Sequence, residues 1–150
     1  MRLFFLICVL WMSVNAHASY ERFHYYFSGF SGGNYSMVTC EYAEYRLRDI
    51  LNIFGATEIA TNCSGGIDFM GNTFPLSLSA SYKLQQVTES SPFRFVEYRS
   101  DPFTPACNFN TGMVRQLLRQ MPQVEVVNSF TACFRPGDSF SYLFKVYYVD

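Results

Sequence analysis

The stretch "CEYAEYRLRDILNIFGATEIATNC", Cys40–Cys63, begins and ends on a cysteine and changes its hydrophobic period in between. Ala43, Leu47, Ile50, Leu51 and Phe54 stand at i, i+4, i+7, i+8 and i+11, one apolar stripe of an α-helix. Glu44 and Arg48 lie off that stripe at the i,i+4 spacing of a solvated ion pair. Gly55 follows as a C-terminal cap, and "TEIATN" reads as a short strand centred on Ile59. A helix of about 13 residues rises near 20 Å. A strand of about six residues returns nearly the same distance. The helix start and the strand end therefore meet, and a Cys40–Cys63 disulfide is expected.

The design recurs in "CNFNTGMVRQLLRQMPQVEVVNSFTAC", Cys107–Cys133. Asn110 or Thr111 is the expected cap, Val114, Leu117, Leu118 and Met121 form the apolar face, and Pro122 stops the helix. "VEVVNSF" is a β-branched strand that returns to the level of Cys107, so a Cys107–Cys133 disulfide is expected as well. Upstream, "RFHYY" at 22–26 matches "RFVEY" at 94–98; downstream, "PLSLSASYKL" and "SFSYLFKVYYV" both alternate as strands do. Two β-α-β-β pseudo-repeats are read from this order, about 19–88 and 89–150.

The expected elements are strands 21–29, 57–62, 76–86, 93–99, 124–131 and 140–149, with helices 41–54 and 111–121. They predict an α+β domain, a two-layer sandwich of ferredoxin-like or split β-α-β type, with two helices on a mostly antiparallel sheet and one disulfide per copy. "SGFSGGN" and "CSGGIDFMGN" read as Gly-rich turns.

Residues 1–18 read as a secretory signal peptide: Arg2, the apolar run "LFFLICVLWMSV", and "NAHA" with cleavage after Ala18. That run is shorter than the roughly 20 residues a membrane span needs, so no integral membrane segment is expected after cleavage. The mature chain, 19–150, is expected to be a single exported domain, periplasmic or extracellular. It keeps four cysteines, an even number suited to an oxidising compartment. Loss of Arg2 moves the formal charge from −1 to −2, and no basic stripe interrupts the chain. Nucleic acid is therefore a poor partner. Fourteen Phe and eleven Tyr remain after residue 18, an aromatic, β-rich composition.

Few groups suit catalysis. His24 is the one histidine beyond residue 18, so a histidine-rich metal site is excluded, and the cysteines are expected to pair instead of ligating metal. "GFSGG" fits neither phosphate-binding fingerprint and lacks the lysine. Glu41 and Glu44 favour a helix start. Asp68, Glu97 and Asp101 are scattered. No catalytic residue, metal or cofactor is assigned. Sequons occur at Asn34 and Asn62, the latter beside a bridged cysteine.

The resulting expectation is a small exported, disulfide-stabilised binding or structural protein, not an enzyme, with a macromolecular, protein-type partner. Phe30 and Tyr35, flanking glycines in the 28–36 loop, are the expected binding residues. The rival readings are a secreted hydrolase using carboxylates such as Asp68 and Glu97, or an inhibitor or effector acting on a protein.

Overall fold

The computed structural model describes residues 20–28, 30–31, 34–35, 38–68, 70–88, 90–100, 106–134 and 138–149. The signal-peptide reading of 1–18, and Asp101, lie outside them. Among the described residues eight strands and two helices follow in the order β1 (Tyr20–Phe27), β2 (Phe30–Ser31), β3 (Asn34–Tyr35), α1 (Cys40–Ile53), β4 (Thr57–Ile67), β5 (Thr73–Lys83), β6 (Phe93–Arg99), α2 (Cys107–Leu118), β7 (Val124–Thr131) and β8 (Phe140–Tyr147).

Helix α1 forms where the apolar stripe requires it. Thr39 caps its start by accepting a bond from Tyr42 N at 3.2 Å, and Ala43, Leu47, Ile50, Leu51 and Phe54 are buried. Gly55 ends it at φ +80°. Its N–H donates to Asn52 O while Ala56 N–H donates to Leu51 O, the paired bonds of a Schellman turn. Glu44 and Arg48 meet at 3.5 Å as their spacing predicts.

Helix α2 begins four residues earlier than expected, and neither Asn110 nor Thr111 caps it. The cap position is Ala106, with no side-chain cap bond. Asn110 is buried, and its amide spans the two units instead: Nδ2 donates to Tyr42 OH at 2.9 Å and Oδ1 accepts from Arg46 Nε at 3.4 Å. Tertiary bonding has taken the side chain that a free helix would use locally.

The strands form two three-stranded antiparallel sheets instead of one continuous sheet. Their orders are β1-β5-β4 and β6-β8-β7, and a short β2-β3 hairpin stands apart. Each unit's last strand takes the centre, so both its neighbours come from its own unit.

The disulfides Cys40–Cys63 and Cys107–Cys133 both hold Cα atoms 5.5 Å apart. Each starts from the first residue of a helix; Cys133 lies two residues past the end of β7. Cys63, however, lies within β4 and not at its end. The "SGG" after it continues the strand: Gly65 and Gly66 take φ of +83° and +80° and create a bulge between Ser64 and Gly66. A Cβ on Gly66 would stand 2.6 Å from Val38 O, and one on Gly65 would overlap Pro75 O. The turn itself is 68–72, closed by Asp68, whose carboxylate accepts from the backbone N–H groups of Met70 and Asn72, both at 2.9 Å.

Buried side chains from both units make one hydrophobic cluster. From the first come Phe23, Tyr25, Phe27, Leu76, Leu78 and Tyr82; from the second, Phe109, Met113, Val114, Phe140, Phe144 and Val146. The helices join the units. Phe109 on α2 packs 5.6 and 5.5 Å from the Tyr25 and Phe27 rings of β1, and Gly112 faces the Tyr25 hydroxyl. Phe54, just past α1, meets Phe144 of β8 edge-on at 5.0 Å. Arg46 of α1 is the polar link. It is 8% exposed, donates to Arg99 O at 3.0 Å and lies 4.5 Å over the Tyr98 ring.

One expected correspondence fails on register. Phe23 is buried and Phe95 is exposed, although "RF" begins both matched segments. A shift of 72 residues aligns opposite faces of the two strands, because side-chain direction alternates with every residue.

Candidate functional site

Phe30 and Tyr35, expected to bind, are brought opposite each other: their backbones pair across β2 and β3, with Ser31 opposite Asn34. Gly29, Gly32, Gly33 and Ser36 of the expected 28–36 loop lie outside the described residues.

The carboxylates of the hydrolase reading sit in different elements and are engaged separately. Asp68 caps its own turn, and its side-chain bond to Asn72 leads the interactions that lower its pKa. Glu97, on β6, is bonded by Arg99 at 2.5 Å and by Ser141 at 3.1 Å. The arginine is the larger cause of its lowered pKa. Both are thus held as carboxylates, the opposite of what a general acid at neutral pH needs. His24 faces out from β1 with Nε2 3.2 Å from Ser77 Oγ. No group of three or more His, Cys, Asp and Glu side chains suited to a metal occurs among the described residues.

The inner faces of the two sheets are alike and their outer faces differ. In the second sheet, Phe93, Phe95, Glu97 and Arg99 of β6 stand opposite Tyr147, Lys145, Leu143 and Ser141 of β8. Glu125, Asn128 and Phe130 of β7 flank the last three of these. This outer face is aromatic. Phe93, Phe95 and Phe130 are 48%, 60% and 59% exposed. Phe93 packs edge-on against Phe95 at 5.6 Å and against Tyr147 at 5.9 Å. A hollow of about 210 Å³ opens between Glu97, Asn128, Phe130, Ser141 and Leu143.

The charges on this face are satisfied within it. Arg99 holds Glu97, while Lys145 bonds Tyr147 OH and lies 3.5 Å from Glu125. The bond that Lys145 donates to Tyr147 is the first cause raising the Lys145 pKa, and the ammonium lies over the Phe93 and Tyr147 rings. Beside the face runs β7, an edge strand among the described residues. Val126 and Val127 are exposed there, next to a register shift between Val126 and Asn128.

The first sheet's outer face is small and polar. Its rows run Arg22–Ser81–Ala60, His24–Ser79–Asn62 and Tyr26–Ser77–Ser64 across β1, β5 and β4. Asn62 is exposed here, on the side of β4 away from its disulfide neighbour.

Sequence reasoning missed Phe93, Phe95, Phe130 and Arg46. The strand "FRFVEYR" carries apolar residues at both parities, so alternation alone does not say which face is buried. No protein-family model matches the chain, and neither a curated protein nor a solved structure matches it.

Proposed function

We propose that the chain is a small exported, disulfide-stabilised binding or structural protein without enzymatic activity. In this reading it acts through protein–protein contact, with the outer face of the second sheet as the contact surface. The observation that carries the reading is three phenylalanines, each about half exposed or more, on one face whose flanking charges are already paired. Patches of clustered exposed rings are unusual on monomers and mark contact sites. Aromatic residues and arginine also dominate the energetics of protein interfaces.

The partner we assign is a second copy of this chain. The face carries both signs of charge in matched pairs and so offers neutral, aromatic complementarity to itself. Packing outer face on outer face would cover the rings as two sheets are covered in a sandwich. The Phe30–Tyr35 hairpin is assigned as a further contact element, because pairing sets its two aromatic residues opposite each other. We read the two β-α-β-β units as copies of one ancestral unit, given their common element order and disulfide placement. The engaged state of Asp68 and Glu97 favours the binder over the hydrolase.

Sedimentation equilibrium of the mature protein tests the assignment. A concentration-dependent dimer is expected, lost in the Phe95→Ser, Phe130→Ser variant with its circular dichroism unchanged. A wild-type monomer at high micromolar concentration would sink the assignment, as would a dimer indifferent to both substitutions.

A further inference from the structure

The first sheet's outer face holds a hollow that contact through the second sheet leaves free. It measures about 400 Å³ and is lined by Arg22, His24, Asn62, Ser79 and Ser81, with Phe23, Ala60, Thr61 and Ala80 completing the lining. This volume lies within the ordinary range for small-molecule sites. Its shape has a local cause. The central strand β5 points Ser77, Ser79 and Ser81 outward, while β1 beside it raises Arg22, His24 and Tyr26. Long side chains along one wall and hydroxymethyl groups on the floor make a trough.

The chemistry of the lining is one-sided. It contains a guanidinium, an imidazole, an amide and hydroxyl groups, and no carboxylate. The Arg22 backbone pairs with β5 opposite Ser81, but its guanidinium makes no hydrogen bond or ion pair among the described residues. The nearby Lys83, by contrast, is held by Glu58 at 2.6 Å. Ser79 Oγ donates to the Asn62 backbone carbonyl at 3.3 Å, while the Asn62 side-chain amide makes no hydrogen bond among the described residues. A guanidinium with unused donors presents a planar fork suited to a carboxylate, sulfate or phosphate. Hydroxyl and amide groups beside it suit the polar body that carries such a group.

We propose that the trough formed by Arg22, His24, Asn62, Ser79 and Ser81 binds a small polar molecule through an anionic group. Arg22 takes the anion, Ser79 and Ser81 line the floor beneath it, and His24 and Asn62 flank it.

The test is a titration of isotope-labelled mature protein, followed by amide NMR, with sodium glucuronate, sulfate and phosphate at constant ionic strength set by chloride. Saturable shifts confined to residues 22–24, 60–62 and 79–81 are expected with at least one probe, and the tightest probe identifies the anion type. Arg22→Gln is expected to weaken that probe about ten-fold or more, the loss that follows removal of a charge-assisted hydrogen bond. Ser79→Leu, which fills the floor, should abolish the shifts. Both variants should keep the wild-type spectrum elsewhere. Shifts spread over all basic residues, no saturation with any probe, or equal affinity in Arg22→Gln would overturn the proposal.

Discussion

Substituting alanine for Gly112 tests the contact that places the second unit's helix on the first unit's strand. A Cβ there would overlap the Tyr25 hydroxyl and lie 3.1 Å from Tyr25 Cζ. Overpacking of this kind costs about 1–3 kcal/mol. Alanine also gains about 1 kcal/mol over glycine in a helix interior. Gly112→Ala alone should therefore destabilise by roughly 0–2 kcal/mol. Tyr25→Phe removes the overlapping atom, and in that background the helix gain should prevail, making the same substitution neutral or stabilising.

The assay is a double-mutant cycle by urea unfolding with the disulfides intact. A coupling of about 1–2 kcal/mol favouring the pair is expected. Each kcal/mol corresponds to a melting shift of about 3–5 °C in a chain of this size. Additivity within about 0.5 kcal/mol would refute the contact. The placement of α2 on β1 would fall with it.

Removing either disulfide as a Cys→Ser pair should cost about 3 kcal/mol in the chain-entropy model, since each closes a loop of similar length; thermal melts of Cys40→Ser/Cys63→Ser and Cys107→Ser/Cys133→Ser would be of similar depth. Arg46→Met should destabilise by about 1–3 kcal/mol in urea unfolding, because Arg99 O and Asn110 lose a buried donor that methionine cannot replace. Glu58, Asp68 and Glu97 all have lowered pKa values, led by bonds from Lys83, Asn72 and Arg99 respectively. Their contribution is therefore complete above the ordinary carboxylate range and is lost as pH falls through their lowered values. Melting temperature followed from pH 7 downward should hold level, then drop in the acid limb. Asp68→Asn should shrink that drop, and an unchanged acid limb would count against the Asp68 turn.

Much of the fold was legible because its signals are local. The stripe from Ala43 to Phe54 has apolar residues at helical spacing whatever it packs against, and both cysteine pairs follow from the return of a strand alongside a helix. Strands 93–99 and 124–131 fall where alternation and β-branching put them. What the sequence hid depends on distant partners. Nothing local marks Arg46, because the carbonyl and ring that enclose it come from β6, some fifty residues on. Gly65 and Gly66 read as a turn because both a turn and a bulge use positive φ; only pairing with β5 distinguishes them. The outer aromatic face was hidden for a similar reason. Phe95 and Val96 are both apolar, and the choice of inward residue is made by the β8 register. The serine row was legible in "PLSLSASYK", where Leu76, Leu78, Ala80 and Tyr82 alternate with small polar residues, but its flanking Arg22 and His24 come from a strand more than fifty positions away.

Carbene footprinting of the chain from residue 19 onward across a dilution series, read out by peptide mass spectrometry, addresses the contact surface most directly. Labelling of Phe93, Phe95 and Phe130 should fall as concentration rises from nanomolar to high micromolar, while labelling of Tyr26 on the first sheet stays constant. Uniform labelling of all four residues at every concentration would contradict a second copy on the aromatic face.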